Sequence, residues 1–206
     1  MKTLLFIIFV ASSLSLSTSE ASTKKVKGNV PAYYRCGNAH PIDRTLFTPE
    51  RDKVQFIFDQ DKYPDTTDIG FVNWFQKDDP DYFTAYLVNT TDTTFNAERQ
   101  DGSLIMIQEA QNKEGDWQPI EYWIYSGCGN SYFNPLVLEP HEYAEVAIVK
   151  YHGKFETKMR LKFKYDKNIM YSQPFNGSIN LSQFEKETDD VYGILYSGPA
   201  NYLDAE

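Results

Sequence analysis

The sequence predicts an all-β protein, an antiparallel sandwich of two facing sheets, and three observations carry that prediction. Aromatic residues make up 16% of the chain, led by Tyr and Phe, and such side chains favour extended backbone, where rings pack on a pleated surface. Apolar and polar residues alternate over short runs, and no run sustains a helical period. Turn-forming clusters such as Asp101-Gly102, Asn176-Gly177 and "KEGD" at 113–116 separate the runs as short antiparallel connections require. Many short strands so spaced read as a sandwich.

The chain opens on an export signal. Lys2 precedes the apolar run "LLFIIFV", which ends at Val10, and small residues gather around Ser17, Ser19 and Ala21, so residues 1–21 are expected to be cleaved off. Serines interrupt the run before it reaches the about 20 apolar residues of a spanning helix, and no later run is more apolar. Stable membrane insertion is therefore not expected, and the processed protein is expected to be secreted or periplasmic. Residues 22–30, "STKKVKGNV", lack periodicity and read as a flexible leader.

Residues 31–198 form the expected single domain, a length that suits one core of generous size. Its first part, 31–80, is expected to form either edge strands, from the runs at 54–58 and 69–75, or a small extension, and it is punctuated by the acidic turns "DQDKYPDTTD" and "QKDDPDY". The sandwich proper follows, with runs at 82–88, 104–108, 120–125, 136–138, 143–149 and 156–165, and later ones at 169–173, 178–181 and 191–196. Residues 199–206 read as a frayed tail.

The clearest strand is "ETKMRLKFKY" at 156–165, where one face carries Met159, Leu161 and Phe163 and the other Lys158, Arg160, Lys162 and Lys164. The apolar face is expected in the core with Leu87, Ile120, Val146 and Ile148. Four cations at about 3.3 Å per residue project together, which makes Lys158, Arg160, Lys162 and Lys164 the candidate binding face. An anionic polysaccharide or an acidic protein surface is the partner such a ribbon suits.

Other chemistries find less support. The net charge of −9 argues against nucleic acid, whose binding rests on Lys and Arg neutralising phosphates. The three histidines, His40, His141 and His152, are scattered, so no metal site is assigned. Asp59, Asp61, Asp65 and Asp68 concentrate hard oxygen ligands, but Tyr63 and Pro64 occupy places where an EF-hand needs an oxygen ligand and a glycine. No nucleophile elbow, zinc-protease motif or phosphate loop appears, so no catalytic residue and no cofactor is assigned. Glu121 and Glu142, beside Trp123 and Tyr143, read as solvent-face partners of strand aromatics.

The two cysteines stand in a repeated tripeptide, Cys-Gly-Asn, within "YRCGN" and "YSGCGNSY". Gly37, Gly129, Asn38 and Asn130 suit turns, and an exported chain with one intramolecular option is expected to join Cys36 to Cys128 in a disulfide.

The stretches "WQPIEYW", "SGCGNSY", "LEPHEY", "KYHGKFETKMRLKF" and "FNGSINLSQF", over the second half of the chain, resemble a group of uncharacterised exported proteins of Bacteroidota type. That resemblance implies an exported β-sandwich and carries over no functional residue. The Leu-x-Pro-x-Glu turn at 138–142 is similar to that of many immunoglobulin-like modules, so the expected architecture is an immunoglobulin-like sandwich with extra N-terminal strands. Cys36 and Cys128 are 92 residues apart with Trp74 between them, unlike the inter-sheet pair of antibody domains. Two functions are consistent with these features: a non-enzymatic binding module for a protein or polysaccharide surface, and a small exported hydrolase using a carboxylate pair.

Overall fold

The computed structural model describes residues 28–69, 81–186 and 199–204. The expected signal, the leader up to residue 27, Trp74 with the strand expected beyond Ile69, and the strand expected over 191–196 lie outside the described residues. In chain order the strands are β1 (Val30–Pro31), β2 (Tyr34–Pro41), β3 (Val54–Asp59), β4 (Asp81–Asn89), β5 (Phe95–Ala97), β6 (Arg99–Gln100), β7 (Ser103–Leu104) and β8 (Met106–Gln111). They continue with β9 (Trp117–Pro119), β10 (Glu121–Tyr122), β11 (Leu136–Leu138), β12 (Glu142–Lys150), β13 (Phe155–Tyr165), β14 (Asn168–Tyr171) and β15 (Phe175–Ile179). One short helix, α1 (Thr66–Ile69), stands between β3 and β4. No helix among the described residues is long and apolar enough to cross a membrane.

The protein is all-β, built on two principal antiparallel sheets. One has the strand order β3-β4-β12-β2-β7-β6; the other runs β14-β13-β8-β9, with β15 also on β13. Smaller pairs, β1 with β10 in parallel and β5 with β11 antiparallel, complete the ladder. The predicted Asp101-Gly102 turn joins β6 to β7 in a two-residue loop, Gln100 facing Ser103. Both loop residues have positive φ, 52° and 81°, the geometry that matches strand twist and favours Asp-Gly.

Alternation places the core. From β13, Met159, Leu161 and Phe163 point to the interior, where they meet Phe56, Phe83 and Leu87 of β3 and β4 and Val146 and Ile148 of β12. Rings lock across the gap: Phe56 on Phe163 at 5.7 Å and Phe83 on Phe175 at 5.4 Å between centroids. Every predicted core residue, Ile120 included, is at most 2% exposed. The first sheet is buried on its outer face as well, where Phe47 covers Tyr86 and Val88, and Ile69 covers Tyr82 and Val149. This is why β4 reads as a nearly continuous apolar run.

Three expectations change. The first Cys-Gly-Asn is strand, inside β2, which lies between β12 and β7 rather than at a sheet edge. Gly37 leaves room there for Asp68, since a Cβ would stand 2.0 Å from Asp68 Oδ2 and the carboxylate would have to shift. Asp68 Oδ1 accepts from Asn38 Nδ2 at 2.8 Å, fixing α1 to β2. The end of the leader is buried: Asn29 Nδ2 donates to Gln183 O and its N–H to Glu185 O. The expected tail is also docked, with Asn201, Tyr202 and Leu203 at most 7% exposed; Trp123 N donates to Asn201 O at 2.7 Å.

Candidate functional site

The four predicted cations do share one face of β13, but they form no free ribbon. Arg160 lies opposite Glu109 of β8, donates from Nε to Glu109 Oε2 at 2.7 Å, and is sandwiched between the rings of Trp117 and Tyr171 at 4.4 and 3.9 Å. Lys162 is only 4% exposed; it pairs with Asp204 and, at 3.7 Å, with Glu109. Lys164 Nζ reaches Tyr125 Oη at 3.1 Å, and exposed Lys158 reaches Asn176 Oδ1 at 2.7 Å. The face is held within the fold by groups distant in sequence.

The expected disulfide is not formed. Cys36 is a buried free thiol in β2 and Cys128 an exposed one beside the 3-10 turn Gly129–Tyr132. Cys36 faces Arg99 Nη1 at 3.5 Å; burial raises its pKa, against the lowering effect of Arg99. The repeated tripeptide thus serves two unlike places, a central strand and a surface turn. The acidic loop is likewise used internally, Asp65 Oδ1 accepting from Thr67 N at 2.9 Å and Asp68 from β2. Among the described residues no His, Cys, Asp and Glu side chains group as metal ligands.

The feature that sequence reading missed lies between the sheets. Glu121, expected on a solvent face, is 1% exposed. Its Oε2 accepts from Tyr34 Oη at 2.5 Å and from the Gln108 backbone N–H at 2.6 Å; its Oε1 accepts from Tyr151 Oη at 2.5 Å. No cation is among these partners. Burial pushes the carboxyl up from 4.5 to about 7, and the hydrogen bonds from Tyr151, Tyr34 and Gln108 oppose the rise. Both tyrosines are raised well above their ordinary range, by burial first and the Glu121 charge second. The signal that marks this residue is an acid set inside the apolar and aromatic run "IEYWIY".

Tyr151 and Gln108 also stand at the base of a groove of about 680 Å³ that opens between the sheets where β12 ends and β13 begins. Phe83, Met159 and Phe175 give it apolar walls, while His152, Glu156, Lys158 and Ser178 stand at its rim. Gln60 Nε2 donates to Asn176 O at 2.9 Å and closes one side, tying the end of β3 to β15. His152 Nε2 lies 3.1 Å from Asp81 Oδ2. At the floor, Gln108 is fully buried, and its Oε1 has no hydrogen-bond partner. Of the predicted binding residues only Lys158 belongs to this groove.

Comparison with known proteins gives no relative: no family model, no curated protein and no solved structure matches the chain.

Proposed function

We propose that the chain is an exported, non-enzymatic binding module on an immunoglobulin-like sandwich, and that part of its protein or polysaccharide partner lies in the groove between the sheets. The make-up of that groove carries the reading. Its size and its mixture of apolar walls with a few polar groups suit ligand capture. Among the described residues that line it only one, Glu156, is a carboxylate, whereas glycoside hydrolysis by paired carboxylates needs two, about 5 to 9.5 Å apart. Glu121 does not supply the second, because both its oxygens are engaged and it does not line the groove.

Affinity electrophoresis in gels containing soluble polysaccharides, with reducing ends assayed in parallel, separates the two functions. Retarded migration without new reducing ends is the expected result. Release of reducing ends that disappears in Glu156→Gln would replace the binding module with a hydrolase. Mass spectrometry of the processed protein checks export, with the N-terminus expected after Ser19 or Ala21.

A further inference from the structure

We propose that the chain pairs with a second copy of itself through β3, antiparallel and centred on Phe56, so that the six-stranded sheets of the two copies join into one. The surface involved is a sheet edge, and the dimer is independent of what the groove binds.

Folds blunt their sheet edges with short strands, proline and covering groups, and most edges among the described residues are treated in this way. β6, at the far side of the same sheet, has two residues and is covered by the loop after β10, where Gln100 Nε2 donates to Ile124 O and Asp101 N to Ser131 O. In the other sheet β14 has four residues, β9 has three and ends in Pro119, and β15 is crossed by Gln60, which donates to Asn176 O. β3 has six residues and no proline, and Val54–Phe58 carries no charge. Thr90 N donates to Lys53 O at 3.0 Å and Lys53 N to Thr90 Oγ1 at 3.1 Å, both on the β4 side. Main-chain groups alternate in direction along an antiparallel strand, so those of Val54, Phe56 and Phe58 turn outward. No strand among the described residues meets them. Ile57 and Phe58 are only half-buried, whereas β4 beside them is buried from Tyr82 to Asn89.

An open edge takes an added strand by main-chain bonding, and the charges at the ends of β3 select the strand. Arg51 and Lys53 lie at its start, Asp59 and Asp61 at its finish. With Phe56 set opposite Phe56 in an antiparallel self-pair, main-chain bonds form between Val54 and Phe58 and between the two Phe56 residues. The same register brings Lys53 opposite Asp59 and Arg51 opposite Asp61, on both sides of the two-fold axis. A parallel self-pair would set like charges together instead. The register also keeps both cores on one side of the joined sheet. Val54, Phe56 and Phe58 pack inward and Ile57 outward, so a slip of one residue would set core-facing residues opposite outward ones. Lys53 Nζ is held at 2.7 Å by Glu50 within its own copy, in an exposed pair that contributes little.

Sedimentation equilibrium of the processed chain tests the dimer, with reductant present so that the exposed Cys128 cannot link copies. A monomer–dimer equilibrium in the micromolar to millimolar range is the expected result, as suits a small interface. Lys53→Asp should raise the dissociation constant by about tenfold, and so should Asp59→Lys, while the two together should restore it to within about threefold of the parent. Within one copy the two side chains stand about 20 Å apart at about 3.3 Å per residue, so restoration in the double variant reports contact between copies. If a single variant fails to fold, hydrogen exchange on the unaltered protein decides: the amides of Val54, Phe56 and Phe58 should exchange fast when dilute and slowly when concentrated. Protection of those amides at every concentration would show that one chain closes its own edge, and would overturn the proposal. A protein that stays monomeric throughout, or a dimer indifferent to both charge changes, would overturn it as well.

Discussion

Glu109 and Glu121 are both buried carboxylates, 5% and 1% exposed, and the fold satisfies them by opposite means. Glu109, on the outer face of β8, has Arg160 Nη2 at 2.6 Å and Lys162 Nζ at 3.7 Å. Glu121, between the sheets, has two phenols and amide groups. Neutral donors satisfy the oxygens of a carboxylate without neutralising its charge, so burial still disfavours the ionised form of Glu121. The two sites teach that hydrogen-bond satisfaction and charge compensation are separate requirements. Replacing each Glu by Gln should therefore have opposite signs.

The largest effect is expected at the paired site. Glu109→Gln leaves Arg160 and the buried ammonium of Lys162 without their shared carboxylate, and breaking a buried pair on one side costs about 3 to 5 kcal/mol. Urea unfolding at pH 8 measures it. A loss under about 1 kcal/mol would mean that Asp204, with the stacking of Arg160 between Trp117 and Tyr171, holds this face without Glu109.

Glu121→Gln should instead stabilise the protein at pH 8. The native carboxyl holds its proton up to about 7 and the unfolded one only to 4.5. Between those values the folded state binds more protons, so stability falls as pH rises and the penalty is complete above about pH 7. At about 1.4 kcal/mol per pH unit this amounts to about 3 kcal/mol. In the variant, the amide oxygen can still accept from Tyr34 and the Gln108 N–H, and its NH₂ can donate to the Tyr151 oxygen. Unfolding free energies at pH 5 and pH 8 should therefore differ between the two proteins mainly at pH 8. A variant that is less stable than the parent at pH 8 would show that the ionised carboxylate is favoured inside.

What could be read in advance follows the range of the interactions involved. The alternation of β13 correctly assigned Met159, Leu161 and Phe163 to the core and its four cations to the opposite face, because a strand's period is local. It could not say what covers that face: Glu109 and Asp204 arrive from 51 and 42 residues away. The Cys-Gly-Asn of β2 looked like a turn for the same reason. The partner that glycine leaves room for there, Asp68, is 30 residues from Asn38. The buried cluster beneath the groove was hidden most completely, since Gln108, Tyr151 and Glu121 come from separate strands and connections and meet only when the sheets close.

Gly37→Ala tests that distant requirement and should have an intermediate effect. The new methyl would stand 2.0 Å from Asp68 Oδ2, so the carboxylate must move away from Asn38 and from His40 Nε2, now at 3.1 Å. Losing hydrogen bonds to a charged group should cost about 1.5 to 3 kcal/mol. Thermal unfolding should show a drop of several degrees, and combining the change with Asp68→Ala should add less than either alone, because both break one contact. Full additivity would place the strain elsewhere in β2.

The smallest effect is expected at Lys158, which belongs to the same ribbon as Lys162 and therefore sharpens the contrast between shared face and shared environment. Lys158 is exposed, and its partner, Asn176 Oδ1, is neutral. Lys158→Gln removes no buried charge and retains a donor for that oxygen, so stability should change by less than about 0.5 kcal/mol. A loss above about 1 kcal/mol would identify the Lys158–Asn176 contact as a structural closure of the groove, comparable with the Gln60–Asn176 bond beside it. Position along a strand would then matter more to these cations than burial, which is the reverse of what Glu109 and Lys162 imply.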